Sequence, residues 1–355
     1  MNVGVKIPIN ELKEGMITAQ DVLKQGKMFL KEGTVLKANY LQALRALRLK
    51  TLYVKVDKGN ISTIIGNEME RFYISTYLSI SQIIEDIIEG KQVTLGQIFP
   101  IVETIIDKVY FHDCRELILA GIKVKTSYKY AHFFNVCLYS IMISKAIKMS
   151  QSETVYLGAA AILHDVGKFR IPQHLLEKPQ RLTKEEFEVV KTHTTQGYMM
   201  LLNMGVIDKQ IADAVLQHHE RIDGSGYPIG LKGAAIEKLA QIIGLADTYD
   251  AITSHRSYKR GVLPHEAASI IEQFKGNLFN GELVEALIKH IICYPVGSEL
   301  LLNTNQVVEV IKTHPDEPLR PVVKVLTDKN GSVLSSTYTL DLKPHTEVQI
   351  VEIFR

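Results

Sequence analysis

The sequence predicts a mainly α protein: an all-helical bundle that gathers the reactive side chains, with a small mixed module before it and a small β module after it. Three observations predict this. From Tyr128 to Tyr294 apolar residues recur at helical spacing almost without a break. Before Lys58 and after Pro295 the pattern changes to short alternating runs punctuated by glycine. The polar residues able to do chemistry together all lie between His132 and Lys259.

Residues 1–58 read as the mixed module. KIPINELKEGMITAQDVL and KMFLKEGTVL give short strands with turns at Gly15, Gly26 and Gly33, ANYLQALRALRL gives a short helix, and TLYVKV alternates as a strand. Residues 59–127 read as a helical connector whose amphipathic segments, STIIGNEMERFYISTYLSISQIIEDIIEG and QIFPIVETIIDKVYF, pack on the bundle or form a homodimer contact. Residues 128–294 are the bundle. Residues 295–355 carry the short runs GSELLLN, QVVEVIKT, PVVKVLTD, SSTYTLDL and EVQIVEIF, with a turn at Lys329–Asn330–Gly331.

Lys and Arg total 41 against 39 for Asp and Glu, so no global field draws the chain to DNA, RNA or anionic lipid. No apolar run approaches the roughly 18 residues of a membrane span, and the first residues lack the apolar core of a signal peptide. Cys114, Cys137 and Cys293 are few and scattered, which excludes a disulfide framework or a thiolate zinc site. A soluble cytoplasmic protein is expected.

Within the bundle, each helix carries a His or Asp where its apolar stripe calls for a core residue. His132 is followed by Val136, Tyr139 and Ile143; Ala160 leads to His164, and Lys168 follows four residues on; Phe187 and Val190 lead to His193; Ile211, Ala214 and Val215 lead to His218; Ile236, Ala240 and Ile243 lead to Asp247. Asp165 lies about 100° around a helix from His164. Thr183 with Glu186 marks a capping box.

Any one buried histidine can be satisfied by a backbone carbonyl. Five helices converging in this way must either bond one another or share something that needs N and O ligands, because burial of unpartnered polar groups costs several kcal/mol. Imidazole and carboxylate without thiolate suit Fe, Mn or Zn. The seven candidates (His132, His164, Asp165, His193, His218, His219, Asp247) are too many for one open metal site. They suit two metals about 3.5–4 Å apart, with Asp165 bridging, that acidify a shared water and clamp an in-line phosphoryl displacement.

Lys168 is placed to neutralise a phosphate oxygen or leaving group. Arg256 and Lys259, nine and twelve residues after Asp247, form a phosphate clamp. Asp223–Pro228, DGSGYP, is a turn at the rim of the site. Gly224 and Gly226 there let backbone approach a ligand, and Tyr227 offers a ring to stack on a base.

His164–Asp165 followed by GK, together with HHERIDGSGYP, resembles the two signature motifs of the HD-GYP family, a bacterial subgroup of the HD phosphohydrolases. The likeness runs from YKYAHFFNV through LTKEEFEVVKTH to ADTYDAITSHRSYKR. It implies an HD-type catalytic bundle and metal-dependent hydrolysis of the second messenger cyclic di-GMP to pGpG or GMP. By position it implies His132, His164, Asp165, His193, His218, His219 and Asp247 as ligands of two divalent ions, Fe or Mn. It also implies Lys168 as catalytic and Tyr227, Arg256 and Lys259 as nucleotide contacts. Some members place a Glu four residues before the first histidine to help hold a third metal; Tyr128 stands there, which favours two. ELKEGM and YPVGS are similar to flanks of multidomain relatives. Two competing expectations are a non-catalytic cyclic dinucleotide sensor and an HD phosphohydrolase acting on other nucleotides.

Overall fold

The computed structural model describes the chain apart from residues 1–2, 25–26, 47–48, 50, 58, 66, 112–123, 126–127, 206–207, 255–261, 291–293, 295, 315–316 and 355. Strand β1 (Val3–Pro8) alternates buried and half-buried residues, and so does β4 (Thr51–Val56). The two pair antiparallel with Val5 opposite Val54, which puts Val3, Val5, Ile7, Leu52, Val54 and Val56 on one buried face. Between them β2 (Val22–Lys24) and β3 (Lys27–Leu30) form a separate two-stranded ribbon, and helix Ala38–Ala46 follows.

One expectation for this region changes. The first sheet is completed by β5 (Val124–Lys125), which pairs with the other edge of β1. The connector therefore does not end outside the first module: its last residues cover a strand edge that would otherwise present unpaired amides.

The connector helices, Glu68–Ile88 and Leu95–Phe111, spend their apolar faces inside the chain. Tyr73 lies against Phe134 of helix Tyr128–Ala146 with ring centroids 4.7 Å apart. Val102 sits so close to Gly158 of helix Gln151–Leu163 that a Cβ there would overlap it. Packing on the bundle, one of the roles expected for these helices, is observed. A single core cluster joins the first module, the connector and the bundle.

The bundle proper consists of Tyr128–Ala146, Gln151–Leu163, His193–Met204, Lys209–Gln217, Lys238–Thr253, Pro264–Glu272 and Gly281–His290, with the short helix Lys184–Lys191 at its rim. Behind it, β6 (Glu299–Leu302), β7 (Val307–Lys312), β8 (Val322–Thr327), β9 (Val333–Asp341) and β10 (Ile350–Phe354) form an antiparallel sheet in the order β10-β6-β7-β8-β9. Asp328 accepts from the amides of Asn330 and Ser332, closing the expected Lys-Asn-Gly turn. Tyr294 was expected at the end of the bundle but lies in the core of this sheet, and its hydroxyl bonds His265 Nδ1 at 2.7 Å. Among the described residues no helix is long and apolar enough to cross a membrane.

Candidate metal centre

Five imidazoles and two carboxylates define the centre. His132 projects inward from the second turn of its helix, as its stripe predicts. His164 and His218 instead stand at the C-terminal ends of their helices, directly after Leu163 and Gln217, and His193 opens a new helix. At such ends a histidine can reach back to the helix that precedes it. His164 Nδ1 bonds Ala161 O at 2.8 Å, His193 Nδ1 bonds Val190 O at 2.7 Å, and His218 Nδ1 bonds Val215 O at 2.7 Å. A carbonyl only accepts, so each Nδ1 carries the proton and each Nε2 carries a lone pair aimed into the site. His132 reaches the same tautomer by another route, its Nδ1 lying 2.7 Å from Asp250 Oδ2.

Asp165 sits between these nitrogens. Its Oδ2 is 3.3 Å from His132 Nε2 and 3.4 Å from His164 Nε2; its Oδ1 is 3.4 Å from His193 Nε2 and 3.7 Å from His218 Nε2. Two oxygens thus face two histidine pairs. Asp247 spans the same two groups, with Oδ1 at 3.2 Å from His132 Nε2 and Oδ2 at 4.0 Å from His219 Nδ1. The potential ligand atoms fall into two clusters, His132–His164–Asp165 and Asp165–His193–His218–His219, which share Asp165.

This arrangement is unsatisfied as protein alone. Asp165 Oδ1, His193 Nε2 and His218 Nε2 are buried without a hydrogen-bond partner, and His132 Nε2 and His164 Nε2 lie 3.3 Å apart with both Nδ1 atoms already donating. Buried ring nitrogens and carboxylate oxygens turned on one another fit divalent cations, and the N/O donor set fits two of them. The protonation states agree. Burial pushes His193 down to about 3, and burial lowers His218 and His219 as well, so the rings stay neutral as metal ligation requires. Burial alone would raise Asp165, but the Lys168 ammonium leads the groups that outweigh it and hold the carboxyl well below its usual range. Asp247 is likewise held low against the upward push of burial, with Lys168 among the groups that act on it.

The path of the chain explains the convergence. Val166–Arg170 is a 3-10 turn, not a continuation of helix Gln151–Leu163, so the expected one-helix relation of His164 and Lys168 does not hold. The tighter turn swings Lys168 Nζ onto Asp165 Oδ2. Gly167 allows it: a Cβ there would overlap His193 O and Gly197 N, so only glycine lets the His193 backbone come in.

The Asp223–Pro228 turn does not work as expected at its glycines. A Cβ on Gly226 would overlap Glu220 Cα, Arg221 N and His219 O, so the chain's own backbone already requires glycine at 226. Gly224 has φ +83 and packs on the Lys232 side chain. The tight turn presses Tyr227 onto His219, with centroids 4.7 Å apart and planes at 26°. The Phe187 stripe also fails: helix Lys184–Lys191 buries none of its residues, because it lies over the rim and not against the core. Arg256 and Lys259 lie outside the described residues, as does the side chain of Tyr128.

Two buried carboxylates and one half-buried arginine escaped the sequence reading. Asp250, three residues after Asp247, binds His132 and also accepts from Asn135 Nδ2 at 2.8 Å and Ser254 Oγ at 2.9 Å. Glu220 ties down the loop beyond the turn through the amides of Ile229, Gly230 and Leu231. Arg221 donates to His218 O and lies over the Phe279 ring, 4.7 Å from its centroid. The available signal was spacing: Asp250 is one helical turn from a candidate ligand.

Residues 121–283 match the HD domain family, and residues 300–355 match the KOW domain associated with HD domains. The chain is 33% identical over 253 residues, 71% of its length and 61% of the relative's, to the cyclic di-GMP phosphodiesterase PA4108 of Pseudomonas aeruginosa. This is an HD domain of the HD-GYP family. A cyclic di-GMP phosphodiesterase of Thermotoga maritima is 43% identical over 148 residues, 41% of this chain and 40% of that one. The chain thus spans about three fifths and two fifths of the lengths of these two relatives. The fold also matches Bd1817, an HDG"Y"P protein from Bdellovibrio bacteriovorus, at TM-score 0.53 and 19% identity, covering 80% of this chain and 98% of that one. The HD-GYP assignment accounts for why His164, Asp165 and the Gly226–Tyr227–Pro228 turn meet at one centre.

Proposed function

We propose that the chain is a phosphodiesterase that hydrolyses cyclic di-GMP to pGpG or GMP in second-messenger signalling, using two divalent ions, Fe or Mn. The observation that carries this reading is Asp165, whose two oxygens each face a separate pair of histidines, while the Nε2 atoms of the second pair, His193 and His218, have no hydrogen-bond partner.

His132, His164, Asp165 and Asp247 would hold one ion, and Asp165, His193, His218 and His219 the other. When bound, the two ions supply Lewis acidity, acidifying water and clamping the oxygens of an in-line displacement. The protein's own groups do the rest. Asp250, Ala161 O, Val190 O and Val215 O fix the imidazoles in the ligating tautomer. Lys168, one-third exposed at its side chain, holds an ammonium at Asp165 from which it can turn to a phosphate oxygen. Tyr227 closes one wall above His219, and Arg256 and Lys259 complete the phosphate contacts.

The test is product analysis by chromatography on metal-loaded protein, with metal content measured on the same sample. Expected are two ions per chain and conversion of cyclic di-GMP to pGpG or GMP, both lost in Asp165→Ala. Tight binding of cyclic di-GMP without product over hours would refute the catalytic reading in favour of a sensor.

A further inference from the structure

Phe187 is the starting point. Helical periodicity assigns it to the core, yet it is 45% exposed on helix Lys184–Lys191, none of whose residues is buried. Polar ties place this helix. Thr183 Oγ1 accepts from Glu186 N at 3.2 Å, Glu186 accepts from Thr183 N at 2.8 Å, and Lys178 Nζ meets both Glu186 oxygens at 2.7 Å. A short helix secured by its polar residues, with its one large ring turned out beside the metal centre, breaks the usual pattern where function is expected to break it.

The surroundings of that ring are specific. Its edge meets Tyr227 at 6.2 Å with planes at 83°, and Tyr227 in turn stacks on the ligand His219. Lys191 Nζ lies over both rings, 5.4 Å from the Phe187 centroid and 5.7 Å from that of Tyr227, while pairing with Glu188 at 2.6 Å. A phosphate at the metal centre is thus one ring away from a half-exposed aromatic ring with an ammonium above it.

We propose that Phe187 and Lys191 form a guanine-recognition face, the base stacking on Phe187 and turning its O6 and N7 toward Lys191. The proposal rests on the reading that the centre acts on a guanine nucleotide. The stack accepts any base, because every base has a π face. The ammonium does not. Lysine has donors only, and the outer edge of guanine offers two acceptors where adenine offers one acceptor and one donor. Phe187 therefore supplies affinity and Lys191 supplies selectivity.

The test is calorimetric binding of GMP, AMP and ribose 5-phosphate to the metal-loaded full chain. Phe187→Ala is expected to weaken GMP and AMP roughly five- to hundred-fold, the range for one lost base stack. Ribose 5-phosphate affinity and metal content should not change, and Phe187→Trp should restore binding. Lys191→Met should erase the preference for GMP over AMP. The proposal is overturned if wild-type protein binds GMP no tighter than ribose 5-phosphate, if Phe187→Ala leaves GMP unaffected, or if it weakens ribose 5-phosphate equally. Absence of cyclic di-GMP turnover together with Phe187-dependent GMP binding would refute the phosphodiesterase reading while supporting the base site.

Discussion

Asp250→Asn isolates the part of the centre that no ligand motif marks. Asp250 is fully buried and holds His132 Nδ1 at 2.7 Å through one oxygen, while the other serves Asn135 and Ser254. Asparagine keeps the shape and removes the charge. A hydrogen bond to a charged acceptor contributes about 1.5–3 kcal/mol against about 1 for a neutral one, so about 0.5–2 kcal/mol of hold on the His132 tautomer is lost. Histidine-orienting partners of this kind typically alter metal affinity or activity 10–100-fold. The expectation is therefore that affinity for one ion, the His132–His164–Asp165 ion, falls about tenfold and turnover falls with it. The second ion and the midpoint of metal-free unfolding should stay near wild type. Competition with a chromophoric chelator reads both affinities separately. Equal weakening of the two ions, or wild-type affinity for both, would refute the assignment of Asp250 to His132 alone.

Three further outcomes are expected. Lys168→Met should lower kcat about 10²–10³-fold, the usual scale for one electrostatic donor, with both ions retained by metal analysis; loss of metal in parallel would mean that Lys168 supports Asp165 and not the reaction. Gly226→Ala must displace the backbone of Glu220 or Arg221 and should cost about 1–3 kcal/mol in denaturant unfolding, with metal retention falling as Tyr227 leaves His219. Metal-free protein should lose stability as pH drops from 7 to 5. The His193 pKa lies at about 3, below the unfolded value near 6.5, so the unfolded chain takes up the proton first. That costs up to about 1.4 kcal/mol per pH unit below 6.5, and His218 and His219 shift in the same sense. Asp165, held below its unfolded value near 4, acts in the same sense but only below that value, outside this window. A flat profile in chelator would contradict the neutral-imidazole picture.

Much of this centre is legible in the sequence because its ligands replace core residues. His132 stands in line with Val136, Tyr139 and Ile143, all buried, so helical periodicity alone turns it inward. The same rule misplaces Phe187, since periodicity reports the face a helix would bury if it packed on the core, and Lys184–Lys191 does not. It also misreads His164 and Lys168 as one helix, because the change to a 3-10 turn after Leu163 is enforced by the close approach of Gly167 to the His193 backbone, a contact between distant residues. Glu220 and Asp250 were passed over for a related reason. A carboxylate buried by amides, or by an imidazole and an amide, looks in one dimension like any solvated acid. The pairing of β1 with β5 joins residues more than a hundred positions apart, and no local pattern announces it.

The three carbonyl-anchored histidines have a consequence for how metal exchange proceeds. Because the Nδ1 atoms of His164, His193 and His218 are each clamped to a carbonyl at the end of the preceding helix, the fold itself holds these three ligands in their ligating orientation, and they need not be ordered by an arriving ion. The entropy of arranging the ligands is settled during folding. What remains at binding is the relief of opposed lone pairs and the stripping of water from the incoming cation. Replacement of one metal by another should then track the lability of each ion's hydration shell, with little dependence on viscosity or on slow motions of the protein.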